Sequence, residues 1–309
     1  MSVVLVGRFS QRLFLTQRLY WIVGSLTKLA STKMPRTTRS KLKASRYNPT
    51  DGKTCRKTGQ SSETTTSTRT DLLDSADTVS SLISSLETSF TANQNSKNAA
   101  QMKQYMRGQF EFYGIKAPEL KGIVKEVLGT YPKLTTDQAL ELLWKAWQQP
   151  NREFQIMAIH YASNNISILI GSDLKCCRRF LDTIQKLITN KSWWDSVDML
   201  AINVIGPMVA KHPNDLGLVM DKWVEDKDMW LRRTAILHQL KYKQKTDSQK
   251  LFRYCLMRAE EKEFFIQKSI GWALREYGKT NGKDVKQFVT EHKDTLSNLS
   301  VREALKHIK

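Results

Sequence analysis

A chain of 309 residues, 40% apolar and 9% aromatic, has material for a buried core and room for one large domain or two modest ones. Seven Pro, fourteen Gly and four Cys exclude a collagen-like chain and a disulfide-stapled scaffold, and no run approaches the ~18–20 uncharged apolar residues of a membrane-spanning helix. Forty-nine Lys and Arg against thirty Asp and Glu leave a net charge of +19, which points to a polyanion as partner, either nucleic acid or an anionic membrane surface.

The basic excess is uneven. The first fifty residues hold ten Lys or Arg and no acid before Asp51. Within residues 1–33, Arg8, Arg12 and Arg18 punctuate apolar residues such as Leu5, Phe9, Leu13 and Trp21. This is either a mitochondrial transit peptide or a leader upstream of a true start at Met34. Residues 34–70 read as a basic arm, dense in Lys and Arg up to Arg46 and suited to nuclear localisation or DNA contact, followed by a disordered Ser/Thr-rich linker. Nucleus is the expected compartment, with mitochondrion the alternative. Over residues 71–95, Leu72, Leu73, Val79, Leu82, Ile83, Leu86 and Phe90 fall near helical spacing, which predicts a helix capping the main domain.

From Lys97 onward helix follows helix. Pro118-Glu119 marks a start, with Leu120, Ile123, Val124 and Val127 at 3.6 spacing up to Gly129. Asp137 opens a second run through Leu140, Leu143, Trp144 and Trp147, which stops at Pro150. No run shows sustained period-2 alternation, so the fold is expected to be all-α. Trp194, Arg233 and Trp272 are spaced 39 residues apart, each in a similar apolar helix, and the helix beginning at Arg152 falls about one period earlier. A period near 40 with two helices per unit predicts HEAT-like repeats stacked into a curved superhelical solenoid over residues 96–309.

Trp194 and Asp198, at i and i+4, share one helix face. A buried, unpaired carboxylate beside an indole is costly. Two readings stay open: a small pocket in which indole and carboxylate receive a cationic group, or an ion pair from Asp198 to Arg233 in the next repeat. Arg275 lies three residues after Trp272 on the same face, and Lys241, Lys243 and Lys245 follow the Arg233 helix. Basic residues lining such a surface suit a phosphate backbone. The four Cys form no C-x-x-C pair and the five His fall in no ligand spacing, so neither metal nor cofactor is expected. Without a G-x-S-x-G, Walker or G-x-G-x-x-G motif, any catalysis rests on carboxylate, indole and arginine.

The blocks Lys191-Ser-Trp-Trp-Asp-Ser-Val-Asp198, Met229-Trp-Leu-Arg-Arg-Thr-Ala-Ile-Leu-His-Gln-Leu240 and Phe264-Phe-Ile-Gln-Lys-Ser-Ile-Gly-Trp-Ala-Leu-Arg-Glu-Tyr277 resemble the AlkD-type alkylpurine DNA glycosylases. The resemblance runs from about Ala99 to the end of the chain. It implies a cofactor-free DNA N-glycosylase that removes cationic N3- and N7-alkylated purines from duplex DNA. It further implies that Asp198, Trp194 and Trp272 form the catalytic set and that Arg233 and Arg275, with Lys241, contact phosphates. The expected partner is double-stranded DNA carrying alkylated purines, bound by a monomer whose folded domain does not engage membranes. The rival expectation is a non-catalytic HEAT-like scaffold binding nucleic acid or an acidic protein, for which Asp198 has no special role.

Overall fold

A computed structural model of the protein describes residues 67–308 other than Ser172, so the expected leader (residues 1–33) and all but the last four residues of the expected basic arm and linker (residues 34–70) lie outside the described residues. Every side chain discussed below lies in one compact unit that begins at Asp74. The described residues are helical throughout, apart from loops and one parallel bridge between Glu111 and Asn151.

The helices are α1 (Ser67–Ala92), α2 (Ser96–Tyr105), α3 (Ala117–Gly129), α4 (Thr136–Gln148), α5 (Arg152–Asn164), α6 (Ile166–Ile170), α7 (Leu174–Ile188) and α8 (Trp194–Leu200). They continue with α9 (Gly206–Lys211), α10 (Pro213–Trp223), α11 (Met229–Leu237), α12 (Ser248–Met257), α13 (Phe264–Gly278), α14 (Gly282–Glu291) and α15 (Asn298–Ala304). Local sequence fixes many of the starts. Thr135 and Gln138 form a reciprocal capping box on α4, while Asp173, Asp228, Asp247, Asn281 and Ser297 each accept a backbone N–H in the first turn of the helix that follows. Pro118 stands in the first turn of α3, where its missing N–H costs nothing.

Helix α1 begins at Ser67, upstream of the expected Asp71. No Gly or Pro interrupts residues 67–92, so nothing in the local sequence stops the helix at Asp71. That stripe (Val79, Leu82, Ile83, Leu86 and Phe90) is buried. Phe90 meets Phe154 of α5 edge-on at 5.0 Å between centroids, and Ser85 and Tyr131 share a 2.8 Å hydrogen bond.

The remaining helices stack as the predicted solenoid. One layer runs α3, α5, α8, α11, α13 and α15, each packed on the next. Partner helices α4, α7, α10, α12 and α14 back this layer, and Trp147, Phe180, Leu142 and Met157 are wholly buried between repeats. Full burial of each such side chain contributes roughly 1.5–3 kcal/mol, which is why no single repeat would hold its shape alone.

Helices α8 and α9 are one continuous rod interrupted by a π-turn at Ala201–Ile205, where the Gly206 N–H reaches back to the Ala201 carbonyl. Pro207, with no N–H to offer, breaks the ladder at this point, and the wider turn absorbs the defect. Gly206 is needed there: a Cβ would sit 2.5 Å from the His238 carbonyl oxygen of the neighbouring repeat. The rod therefore passes close to the loop after α11, which positions the site described next.

Candidate functional site

Residues Trp194, Arg233 and Trp272 occupy α8, α11 and α13, three consecutive helices of one layer with α11 packed on both neighbours. The 39-residue spacing thus corresponds to adjacency in space. Trp194 is the first residue of α8, and Asp198 lies one turn further along.

Between the two readings left open by spacing, the structure has the ion pair. Arg233 donates from Nε to Asp198 Oδ1 at 2.7 Å and from Nη2 to Asp198 Oδ2 at 2.9 Å. Asp198 is 6% exposed and Arg233 4%, so the pair is almost wholly screened from water. Arg233 Nη1 donates to the Phe265 carbonyl at the start of α13, and the guanidinium carbon lies 5.8 Å from the Phe265 ring centroid. One arginine thereby links three repeats. A bidentate guanidinium fork fixes the carboxylate in orientation as well as position.

The family resemblance implies a phosphate contact for Arg233. Its guanidinium is committed to Asp198 and the Phe265 carbonyl and faces the interior. Arg275 is similarly engaged: it pairs with Glu303 of α15, which also receives Lys268 at 2.9 Å. Burial pushes the Glu303 carboxyl upward, but the Lys268 and Arg275 cations outweigh it and hold the group below its usual range. Lys241 is exposed and donates at 2.7 Å to Asn203, which stands in the π-turn. Lys243 and Lys245 are exposed in the short turn after it, and Lys243 with Lys279 borders a cleft between the C-terminal ends of α11 and α13.

Aromatic side chains cluster at the starts of the same helices, and sequence reasoning singled out only some of them. Trp193, Trp230 and Phe265, near the starts of α8, α11 and α13, meet one another at 5.1–6.1 Å between centroids. Trp194 is half-buried and meets the exposed Tyr105 of α2 edge-on at 5.9 Å. Trp272 is half-buried against the core. Phe265 and Trp230 sit in the quoted sequence blocks and could have been found by their repetition at helix starts. Tyr105 lies nearly ninety residues from Trp194 in sequence, and no local pattern connects them.

A second buried pair supports the approach to Trp194. Arg152 of α5, wholly buried, donates to Asp195 through Nε at 3.0 Å and Nη2 at 2.7 Å, and also to Ser196 Oγ and the Lys191 carbonyl. Among the described residues no group of three or more His, Cys, Asp or Glu is placed to hold a metal ion, and no helix is long and apolar enough to cross a membrane.

The family model described as DNA alkylation repair enzyme matches residues 86–308, a span that contains every residue of this site. A solved structure described as a predicted DNA alkylation repair enzyme from Enterococcus faecalis is 34% identical, covers 70% of this chain and 96% of its own, and superposes with a TM-score of 0.61. The structure of smu.31 from Streptococcus mutans UA159 is 20% identical, covers 67% of this chain and 100% of its own, with a TM-score of 0.48. No curated protein matches the chain.

Proposed function

The chain belongs to the DNA alkylation repair enzyme family, and from that premise we propose that it is a DNA N-glycosylase acting on cationic N3- and N7-alkylated purines in duplex DNA. The observation that carries the reading is the carboxylate of Asp198, clamped by Arg233 one helical turn from Trp194.

The chemistry asks little of the protein beyond electrostatics. An alkylated purine bears a positive charge, so when the N-glycosidic bond breaks its electron pair returns to the base, which leaves neutral. Positive charge builds on the deoxyribose, a water oxygen bonds to C1′, and a water proton is released. A fixed carboxylate near that carbon stabilises charge present only as the bond breaks, which lowers the barrier without tightening ground-state binding. Asp198 serves this role and orients the water, since a carboxylate oxygen accepts more than one hydrogen bond. Arg233 acts as the positioning residue for Asp198. Trp194 and Trp272 present π faces to the cationic sugar and base. Exposed Lys241, Lys243 and Lys245 supply the phosphate contacts that the buried Arg233 does not.

A second reading is favoured by a specific observation. Arg–carboxylate pairs also join repeats at Arg152–Asp195 and Arg275–Glu303, so Asp198–Arg233 could be one more staple in a nucleic-acid-binding scaffold without catalysis. Incubating the protein with duplex DNA methylated at guanine N7 separates the two. Free 7-methylguanine together with abasic sites supports the glycosylase; intact DNA that is nevertheless bound supports the scaffold.

A further inference from the structure

The first turn of α5 is built unlike a solvent-facing helix start. Asn151-Arg152-Glu153 opens the helix, yet Arg152 and Glu153 are buried, at 0% and 1% exposure. Each reaches a different loop, and the two loops flank the Tyr105–Trp194 contact.

Arg152 reaches forward in sequence. Its guanidinium takes both Asp195 oxygens, Ser196 Oγ and the Lys191 carbonyl. Lys191 is in the left-handed region at φ 48°, a backbone state that is disfavoured for a side-chain-bearing residue unless its surroundings impose it. The surroundings do so. Lys191 Nζ returns 2.7 Å hydrogen bonds to the Gln148 and Gln149 carbonyls, and the Trp147 indole donates at 2.7 Å to the Asn190 carbonyl. The loop that delivers Trp194 is thus anchored on the preceding repeat.

The same turn also reaches backward. The Arg152 backbone N–H donates to the Glu111 carbonyl at 2.9 Å, and the Phe110 ring covers the guanidinium at 3.7 Å from its centroid. Glu153 Oε1 accepts the Gly114 N–H at 2.8 Å and the Ile115 N–H at 3.3 Å. Gly114 itself cannot carry a side chain, since a Cβ would fall 2.2 Å from the Asn95 carbonyl. These contacts fix the segment that follows Tyr105.

We propose that Arg152 is a positioning residue for the site: it sets the placement of Trp194, and through α8 that of Asp198, by clamping the Lys191–Ser196 segment to the Phe110–Ile115 segment. Its contribution to excision rests on the glycosylase reading; its contribution to loop order does not. A guanidinium is required because four acceptors in a fork are met at once, a pattern that the point charge of a lysine cannot reproduce.

The test pairs hydrogen–deuterium exchange with single-turnover excision on the full chain, comparing wild type, Arg152→Lys and Phe110→Leu. The clamp predicts that amides of residues 190–198 exchange at least about tenfold faster in Arg152→Lys, with Phe264–Gly278 unchanged. Release of 7-methylguanine should fall on the order of tenfold to a hundredfold while the Kd for DNA stays within about twofold, since the loss is one of geometry at the reacting carbon. A residue serving stability alone would lower Tm and leave the rate of the folded enzyme untouched. If Arg152→Lys does not fold, Phe110→Leu, which strips the ring from the guanidinium, opens it to water and so weakens the fork it makes, carries the same test in the same direction. Wild-type exchange over residues 190–198, or an unchanged excision rate in a loosened loop, overturns the proposal. Should wild type release no base, the glycosylase reading falls and exchange alone decides the clamp: acceleration upholds it, and its absence overturns it.

Discussion

Asp198 and Arg233 stand 35 residues apart in sequence and meet through two hydrogen bonds of 2.7 and 2.9 Å, almost wholly screened from water. A buried ion pair is weak evidence for stability, because desolvating both charges offsets much of their attraction. Removing one partner is different, since the other is left buried and uncompensated. Asp198→Asn is therefore expected to lower stability by about 3–5 kcal/mol as well as to suppress excision on the order of a hundredfold to a thousandfold, the range for removing one preorganised electrostatic group. Excision measured well below the lowered Tm separates the two effects; near-normal release from folded Asp198→Asn would remove the carboxylate from the mechanism.

Arg233→Lys distinguishes clamping from phosphate binding. Lysine keeps the charge but loses the fork, so excision should drop at least about tenfold. The slope of log Kobs against log[salt] for DNA should not change, because a buried guanidinium already paired with a carboxylate releases no counterion. A slope shallower by about one unit would place Arg233 on a phosphate instead.

Phosphate binding falls to the exposed lysines after α11. Replacing Lys241, Lys243 and Lys245 together by Gln should weaken binding to damaged and undamaged duplex alike and reduce the salt slope by about one unit for each phosphate no longer neutralised. The chemical step at saturating enzyme should be nearly unaffected. Titrations at several salt concentrations report the slope directly, and three substitutions that leave it unmoved would send the DNA elsewhere on the surface.

The fold is legible in the sequence because its signals are local or periodic. Thr135 with Gln138, Asp173 and Asp228 mark helix starts by side-chain capping, and the 39-residue spacing of Trp194, Arg233 and Trp272 becomes helix-to-helix adjacency. Spacing does not supply which side chain of one repeat faces which of the next. For that reason it leaves Asp198 between a pocket and Arg233. The Arg152–Asp195 clamp is hidden because an Arg-Glu pair opening a helix usually points to water. The π-turn has a cue in Gly206-Pro207, where a helix with no N–H at one position must change its register.

A pH dependence follows from His238. It is wholly buried, with Nδ1 2.6 Å from the Ala235 carbonyl and Tyr242 and Tyr254 against its ring. Burial pushes its pKa down to about 4, outweighing the opposing effect of that carbonyl. The unfolded chain takes up a proton near pH ~6.5 while the folded one refuses it until about 4, so the folded state loses stability as pH falls through this window. The full loss is about 3 kcal/mol. Urea unfolding of wild type and His238→Gln at pH 7 and pH 5 isolates the group, because every other titrating side chain is common to the two proteins. The gap between the two proteins should shift toward the variant at pH 5, and a constant gap would show that His238 is charged in the fold.

The decisive experiment is single-turnover release of 7-methylguanine from N7-methylated duplex DNA by wild type, Asp198→Asn and Arg233→Lys, with DNA affinity measured in parallel. A glycosylase that works through a clamped carboxylate releases base as wild type, loses nearly all release in Asp198→Asn and part of it in Arg233→Lys, and binds DNA similarly in all three forms. Equal release by all three, or tight binding with no release by folded wild type, would rule that mechanism out.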